Sequence, residues 1–316
     1  MRKYVLSLCL LSFFILFHAP VLSAKGSLKI EDGYKEINGT RLYYKTIGSG
    51  TPIVILHGGP GFNHTYFLPQ MQELAKKYKL IFFDQRTCGR SERLVDSAHL
   101  QLLNQIEDVE GIRKAFGIDN MILMGHSFGG LLAENYAIKY PEHLKALILV
   151  NPSAHESRYT IETSENQKKR YTKEDSLERV EIMQTDDFKR KEHTAYEKLF
   201  RINLRSTFYD RNLVDSITIW LPEDFYFRNS LWKWVSIENW FYNIGTEMAN
   251  ILCPVLIIHG DHDPLPQKAI DDLHDRIIHS RVVTLKNCGH FPFIEAKKDF
   301  FASITKFVNE LEKKKK

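Results

Sequence analysis

Short apolar runs of strand length, separated by turn residues and helical stretches, recur along this chain and restrict it to one fold class. "RLYYKTI" (41–47), "PIVIL" (52–56), "KLIFFD" (79–84), "NMILMG" (120–125), "ALILV" (146–150), "PVLIIH" (254–259) and "RVVTL" (281–285) are the strand candidates. Runs apolar at consecutive positions suit strands buried on both faces, as in a parallel sheet covered by helices. Between the third and fourth runs, Leu103, Ile106, Val109 and Ile112 recur at helical spacing. After Ser127, "FGGLLAENYAIKY" reads as a second helix, stopped by Pro141. The expected class is α/β, with a mostly parallel central sheet flanked by helices. A chain of 316 residues is long for one core, so an insertion is expected as well.

The strand pattern lapses from Pro152 to Asn250. The first part of this stretch is highly charged. The second holds all four tryptophans, Trp220, Trp232, Trp234 and Trp240, among Phe225, Tyr226, Phe227, Phe241 and Tyr242. About half of these aromatics should form the insertion's own core and the others line a ligand pocket, since pockets are mostly apolar. Trp220 and Phe225 are assigned to the pocket. The expected organisation is therefore a leader over 1–24, a core in two parts over 25–151 and 251–316, and an inserted, mainly helical cap over 152–250.

The leader reading rests on Arg2 and Lys3, an apolar run from Val5 to Phe17, and a less apolar end with small residues. That is the layout of a secretory signal peptide, and the run is short for the roughly 20 residues of a membrane span. An exported protein, periplasmic or secreted and without stable membrane insertion after cleavage, is the expectation. Removing 1–24 takes away two cations and no acid, so the formal charge of +4 falls to +2. Nothing in that balance suggests a nucleic-acid partner. Cys88, Cys253 and Cys288 lack metal-site or CxxC spacing, so neither a disulfide framework nor a zinc site is expected.

Gly125-His126-Ser127-Phe128-Gly129 fits G-x-S-x-G and falls between a strand candidate and a helix candidate. In that setting a serine sits on a strained strand-to-helix turn, which lifts its hydroxyl out of the sheet. A serine hydroxyl needs a base to take its proton, and the base needs a third group to hold its tautomer. In this class the chain order is serine, acid, histidine. "HGDHDPL" supplies Asp263 as the acid, with Asp261 as the fallback, and "NCGHFPF" supplies His290. "LHGGPG" follows a strand and offers backbone N–H groups to a substrate oxygen. Gly59 and Phe128 are the expected oxyanion donors, and His57 a brace for the loop. His259, Asp261, His262 and Asp263 lack metal-ligand spacing, so no metal and no cofactor is expected.

With these residues in place, the chain resembles the proline iminopeptidase family of α/β-hydrolases. "HGGPG", "FFDQRTCGRSE", "GHSFGG", "GDHDP" and "CGHFPFIE" occur in the family's order and at similar spacing. The resemblance implies an α/β-hydrolase fold, a Ser127–Asp263–His290 triad and a helical cap. An aminopeptidase measures distance from a free amine through buried carboxylates. In similar enzymes one such glutamate comes from the cap, and Glu223 in "LPEDF" is the best match. A second acid in some relatives follows the catalytic aspartate; this sequence has Pro264 there, with Glu247 and Glu295 as substitutes. Asp84 and Arg86 are expected to stabilise the loop beneath the site.

The functional expectation is a serine hydrolase that removes an N-terminal residue, such as proline, from short peptides. The alternatives are an esterase or amidase acting on small acyl compounds, and an exported binding protein on the same fold. A small molecule or short peptide is the expected partner.

Overall fold

The computed structural model describes residues 27–238 and 243–313. The leader segment 1–24, Trp240, Phe241, Tyr242 and the side chain of Trp234 lie outside the described residues. Among the described residues, eight strands form one sheet: β1 (Ile30–Ile37), β2 (Thr40–Ile47), β3 (Pro52–Leu56), β4 (Lys79–Phe83), β5 (Met121–Ser127), β6 (Leu144–Pro152), β7 (Val255–Gly260) and β8 (Ser280–Leu285). Their order across the sheet is β1-β2-β4-β3-β5-β6-β7-β8. β1 and β2 run antiparallel to each other and β2 runs antiparallel to β4. Every other pairing is parallel.

The apolar runs are continuous because alternate residues serve opposite layers. Val54, Leu56, Leu123, Leu147 and Ile257 enter one buried cluster, whereas Ile53, Ile55, Ile122, Ile148 and Ile258 enter the other. Helices α2 (Leu102–Ala115), α3 (Phe128–Lys139) and α9 (Gln267–Arg276) cover the first face. The short α1 (Gln72–Ala75) and the C-terminal α11 (Lys297–Lys313), which follows α10 (Pro292–Glu295), cover the second. On α11, Phe300, Ile304, Phe307, Val308 and Leu311 share one buried stripe. Truncating a fully buried phenylalanine such as Phe300 would cost about 3–5 kcal/mol.

Between β6 and β7 the chain forms α4 (Ser157–Lys168), α5 (Lys173–Gln184), α6 (Asp186–Lys189), α7 (His193–Arg205) and α8 (Phe225–Glu238). The buried Asp175 ties this segment together. It closes a capping box with Thr172 at the start of α5 and pairs with Arg205 and Arg211. The two legs of the segment meet where they leave the sheet, through a Glu156–Asn243 bridge and an Ile244 N–H bond to the His155 carbonyl of 3.1 Å. Beside them, His155 Nε2 lies 2.7 Å from Asp272 of α9.

Two details differ from the sequence reading. β1 was not among the strand candidates, because this edge strand carries mostly exposed polar residues and buries only Ile37. Leu103 faces solvent, 54% exposed, while Ile106, Val109 and Ile112 are buried.

Candidate active site

Ser127 ends β5 at φ 56° and ψ −124°, a backbone region that a residue with a Cβ rarely adopts. The glycines around it let three backbone segments converge. A Cβ on Gly125 would stand 2.1 Å from the Gly129 carbonyl oxygen, and one on Gly129 would stand 2.4 Å from that of Leu56. Nothing larger than hydrogen fits at either position. The turn leaves Ser127 half-buried at the N-terminus of α3.

Across from it, His290 follows β8 and Asp263 follows β7. His290 Nδ1 lies 2.5 Å from Asp263 Oδ2. Asp263 Oδ1 accepts the Leu265 amide at 2.7 Å, which fixes the carboxylate plane. Burial alone would raise this carboxyl, but the adjacent His290 ring outweighs it and holds Asp263 below the usual carboxylate range. An ionised Asp263 accepts the Nδ1 proton, so a neutral His290 presents a lone pair at Nε2. Asp261 lies elsewhere, accepting the Cys288 amide at 3.3 Å and pairing with Lys286. Glu295 braces the same region, taking the Gly289 amide at 2.8 Å and the Tyr209 amide at 2.7 Å.

The loop after β3 is held from beneath. Its neutral His57, which burial pushes down to about 4, accepts the Gln85 amide at Nε2 and donates from Nδ1 to the Gly58 carbonyl. Asp84 accepts from the backbone and ring nitrogens of His64 and from the Arg90 amide. Arg86 makes a bidentate, buried pair with Asp108 on α2. Phe128 is the first residue of α3, so its amide has no carbonyl partner within the helix.

Ser127, His290, Gly59 and Phe128 all border one cavity of about 630 Å³. Phe62, Tyr66, Leu131 and Phe291 line it from the sheet side, and Phe200, Leu204 and Trp232 from the inserted helices. The Phe128 and Trp232 rings meet edge to face at 6.0 Å.

A family model for the alpha/beta hydrolase fold matches residues 51–297. The chain belongs to the α/β-hydrolase fold family. This hydrolase is 29% identical to a proline iminopeptidase of Saccharolobus solfataricus, over 92% of the chain and 96% of the relative. It is 27% identical to a proline iminopeptidase of Thermoplasma volcanium, over 89% and 98% respectively. Its fold matches the crystal structure of a proline iminopeptidase from Mycobacterium smegmatis with a TM-score of 0.67 at 18% identity, covering 90% of this chain and all of that one. It is a proline iminopeptidase-like hydrolase.

Three residues assigned to substrate binding from sequence do not line the hydrolase's cavity. Trp220 stacks under the Arg90 guanidinium, 4.3 Å from its ring centre, and its carbonyl accepts from Asn63. Phe225 lies one layer back, buried against Phe200 and Tyr196. Glu223 is exposed just before α8. The reason is local: in "WLPEDF" the chain turns into α8, and the helix directs Asn229 and Trp232, rather than its first turn, toward the cavity. Of the substitutes, Glu247 is exposed and Glu295 is a backbone brace. Sequence reasoning also passed over Phe62, Phe200, Asn203 and Gln167, which line the cavity without any motif to mark them.

Proposed function

We propose that this hydrolase works through an acyl-enzyme on Ser127 and releases N-terminal proline, or another small apolar residue, from short peptides. The observation that carries the chemistry is the His290–Asp263 pair on the rim of the cavity that Ser127 also borders. His290 Nε2 takes the Ser127 proton as the hydroxyl attacks the acyl carbon, then passes it to the leaving amine. Water, deprotonated by the same nitrogen, hydrolyses the ester. Asp263 stays ionised and stabilises the imidazolium that forms. The Gly59 and Phe128 amides donate to the tetrahedral oxyanion. The names of the relatives support the aminopeptidase reading. A cavity of about 630 Å³ has room for a residue or two, within the usual range of roughly 300–1,000 Å³ for small-ligand sites.

One observation favours a second reading, an esterase or amidase for uncharged acyl compounds. Among the described residues lining the cavity, Asp263 is the only carboxylate, and it is engaged with His290. Thr163, Gln167, Asn203 and Asn229 supply neutral polar groups instead. The two readings separate on a prolyl arylamide and a short-chain nitrophenyl ester, with Ser127→Ala as the blank. Arylamide cleavage that is abolished by acetylating the substrate amine supports the aminopeptidase; ester cleavage alone supports the second reading. Ser127→Ala should lose on the order of a millionfold in turnover, and retained activity would overturn the mechanism. Residues 1–24 we read as a cleaved secretory leader, on their charged start and short apolar run. Sequencing the N-terminus of exported protein tests it.

A further inference from the structure

We infer that Tyr66 and His126 are positioning residues for this reaction, forming a buried hydrogen-bond chain that ties the loop carrying Gly59 to the loop carrying His290. The inference rests on the serine-hydrolase reading above. The Gly58 amide lies 2.6 Å from Tyr66 Oη. Tyr66 Oη lies 2.8 Å from His126 Nδ1, and His126 Nε2 lies 2.8 Å from the His290 carbonyl oxygen.

The atoms at the two ends fix every proton between them. A carbonyl oxygen only accepts, so His126 carries its proton on Nε2 and offers a lone pair at Nδ1. Tyr66 must then donate its hydroxyl proton to Nδ1, and its oxygen accepts the Gly58 amide. Burial holds the phenol protonated and His126 neutral, with the His126 value pushed down to about 3. Both residues are buried, 2% exposed, and the rings of Phe67, Phe291 and Phe293 pack around His126. In such a place a hydrogen bond is strong, and a polar group left without one is costly.

The chain passes through the nucleophile turn itself, because His126 immediately precedes Ser127. It therefore joins three segments far apart in sequence: the oxyanion loop after β3, the turn after β5 and the histidine loop after β8. Tyr66 borders the cavity, yet its single proton is committed to His126, so it acts through its neighbours rather than on substrate.

Tyr66→Phe keeps the ring and removes only the hydroxyl. On whichever substrate the enzyme turns over, kcat should fall at least tenfold with KM within threefold. Affinity for a small alkyl boronic acid, which mimics the tetrahedral state on Ser127, should fall in parallel. His126→Leu should lose as much, and His126→Gln, which can still donate to the His290 carbonyl, should recover part of it. Residues acting as one chain are not additive, so the Tyr66→Phe/His126→Leu double variant should be no worse than the poorer single. A purely structural role would lower the melting temperature and leave kcat of the folded enzyme unchanged. That result, or additive losses, overturns the inference while leaving Ser127→Ala inactive and the proposed function standing. Should Tyr66→Phe fail to fold, the His126→Gln and His126→Leu pair decides alone: equal kcat in both overturns it.

Discussion

His57 Nδ1 donates to the Gly58 carbonyl at 2.8 Å, and that single bond sets the direction of the next amide. In a trans peptide the carbonyl and the following N–H point opposite ways. With the Gly58 oxygen turned down onto a buried ring, the Gly59 N–H turns up, toward the side on which Gly59 is exposed to the cavity. Removing a true oxyanion donor costs on the order of a hundred- to a thousandfold. Freeing the peptide that carries the proposed Gly59 donor should cost less. His57→Leu should lower kcat on the order of tenfold to a hundredfold. His57→Asn, which keeps a donor near the Nδ1 position, should retain most of it. Equal kcat in the two variants would show that the bond does not aim the peptide.

The strained backbone at Ser127 should be measurable without any substrate. A residue held in so sparse a region costs about 1–3 kcal/mol, and glycine adopts it freely. Ser127→Gly is therefore expected to abolish turnover and to stabilise the fold by about 1 kcal/mol, after the entropy cost of an added glycine. Urea unfolding at neutral pH reads this directly, with Ser127→Ala as the control that keeps the strain. An unchanged midpoint in the glycine variant would mean that the turn is relaxed.

Acid should destabilise this protein earlier than its carboxylates alone require. Burial lowers His57 to about 4 and His126 to about 3, against about 6.5 in an unfolded chain. A histidine whose folded pKa is depressed contributes stability that is complete above about pH 6.5 and is lost as pH falls below it, because only the unfolded chain takes up the proton. Each such group contributes up to roughly 1.4 kcal/mol per pH unit. Asp84 and Asp263, both lowered, add a loss of the same sign at more acid pH. In urea titrations between pH 6 and pH 4.5, His126→Gln should show a shallower slope, by up to one proton. Parallel slopes would mean that His126 is already charged in the folded state.

Glu134 runs the other way. It lies fully buried on α3, its carboxyl makes no hydrogen bond among the described residues, and burial raises its pKa well above the ordinary value. A raised carboxyl costs stability as pH rises through and beyond the unfolded value. Glu134→Leu should stabilise the protein at pH 7 by about 1–3 kcal/mol, with a smaller gain at pH 5. Chemical denaturation at the two pH values tests it. A loss of stability at pH 7 would reveal a partner for this side chain.

What could be read from sequence depended on how local each decision was. The central strands were legible because burial on both faces makes them apolar at every position, as in "PIVIL" and "ALILV". β1 was not, since an exposed edge strand need not be apolar. Its signal was the turn that follows: Asn38 and Gly39 both have positive φ, the pattern of an Asn-Gly hairpin. The Ser127 motif and the loop after β3 are likewise short-range features, and chain order then picks out Asp263 and His290. Asp263 stands three residues beyond Gly260, with room to curl over the strand end, and the structure brings it against His290. The cavity walls were opaque. Whether Glu223 or Asn229 faces the cavity depends on how α8 packs on the sheet, and no spacing within "LPEDFYFRNS" encodes that. Leu103 shows the same limit on α2, where helical periodicity placed the stripe but not its edge.

The meeting of the two legs at Glu156 and Asn243 means that, seen from the sheet, roughly ninety residues enter and leave at a single point. The helices between β6 and β7 are thus interchangeable parts in principle: their length and content can change without rethreading a strand. What a replacement must reproduce is a set of contacts to the loops after β7 and β8: Arg170 donates to the His262 and Asp263 carbonyls, and Asn166 to that of Pro264. The Thr207 carbonyl receives the His290 amide at 2.8 Å, and the Tyr209 amide reaches Glu295. A transplanted segment that presents those groups can bring new walls to the cavity that Ser127 borders, so the walls and the proposed chemistry can change separately.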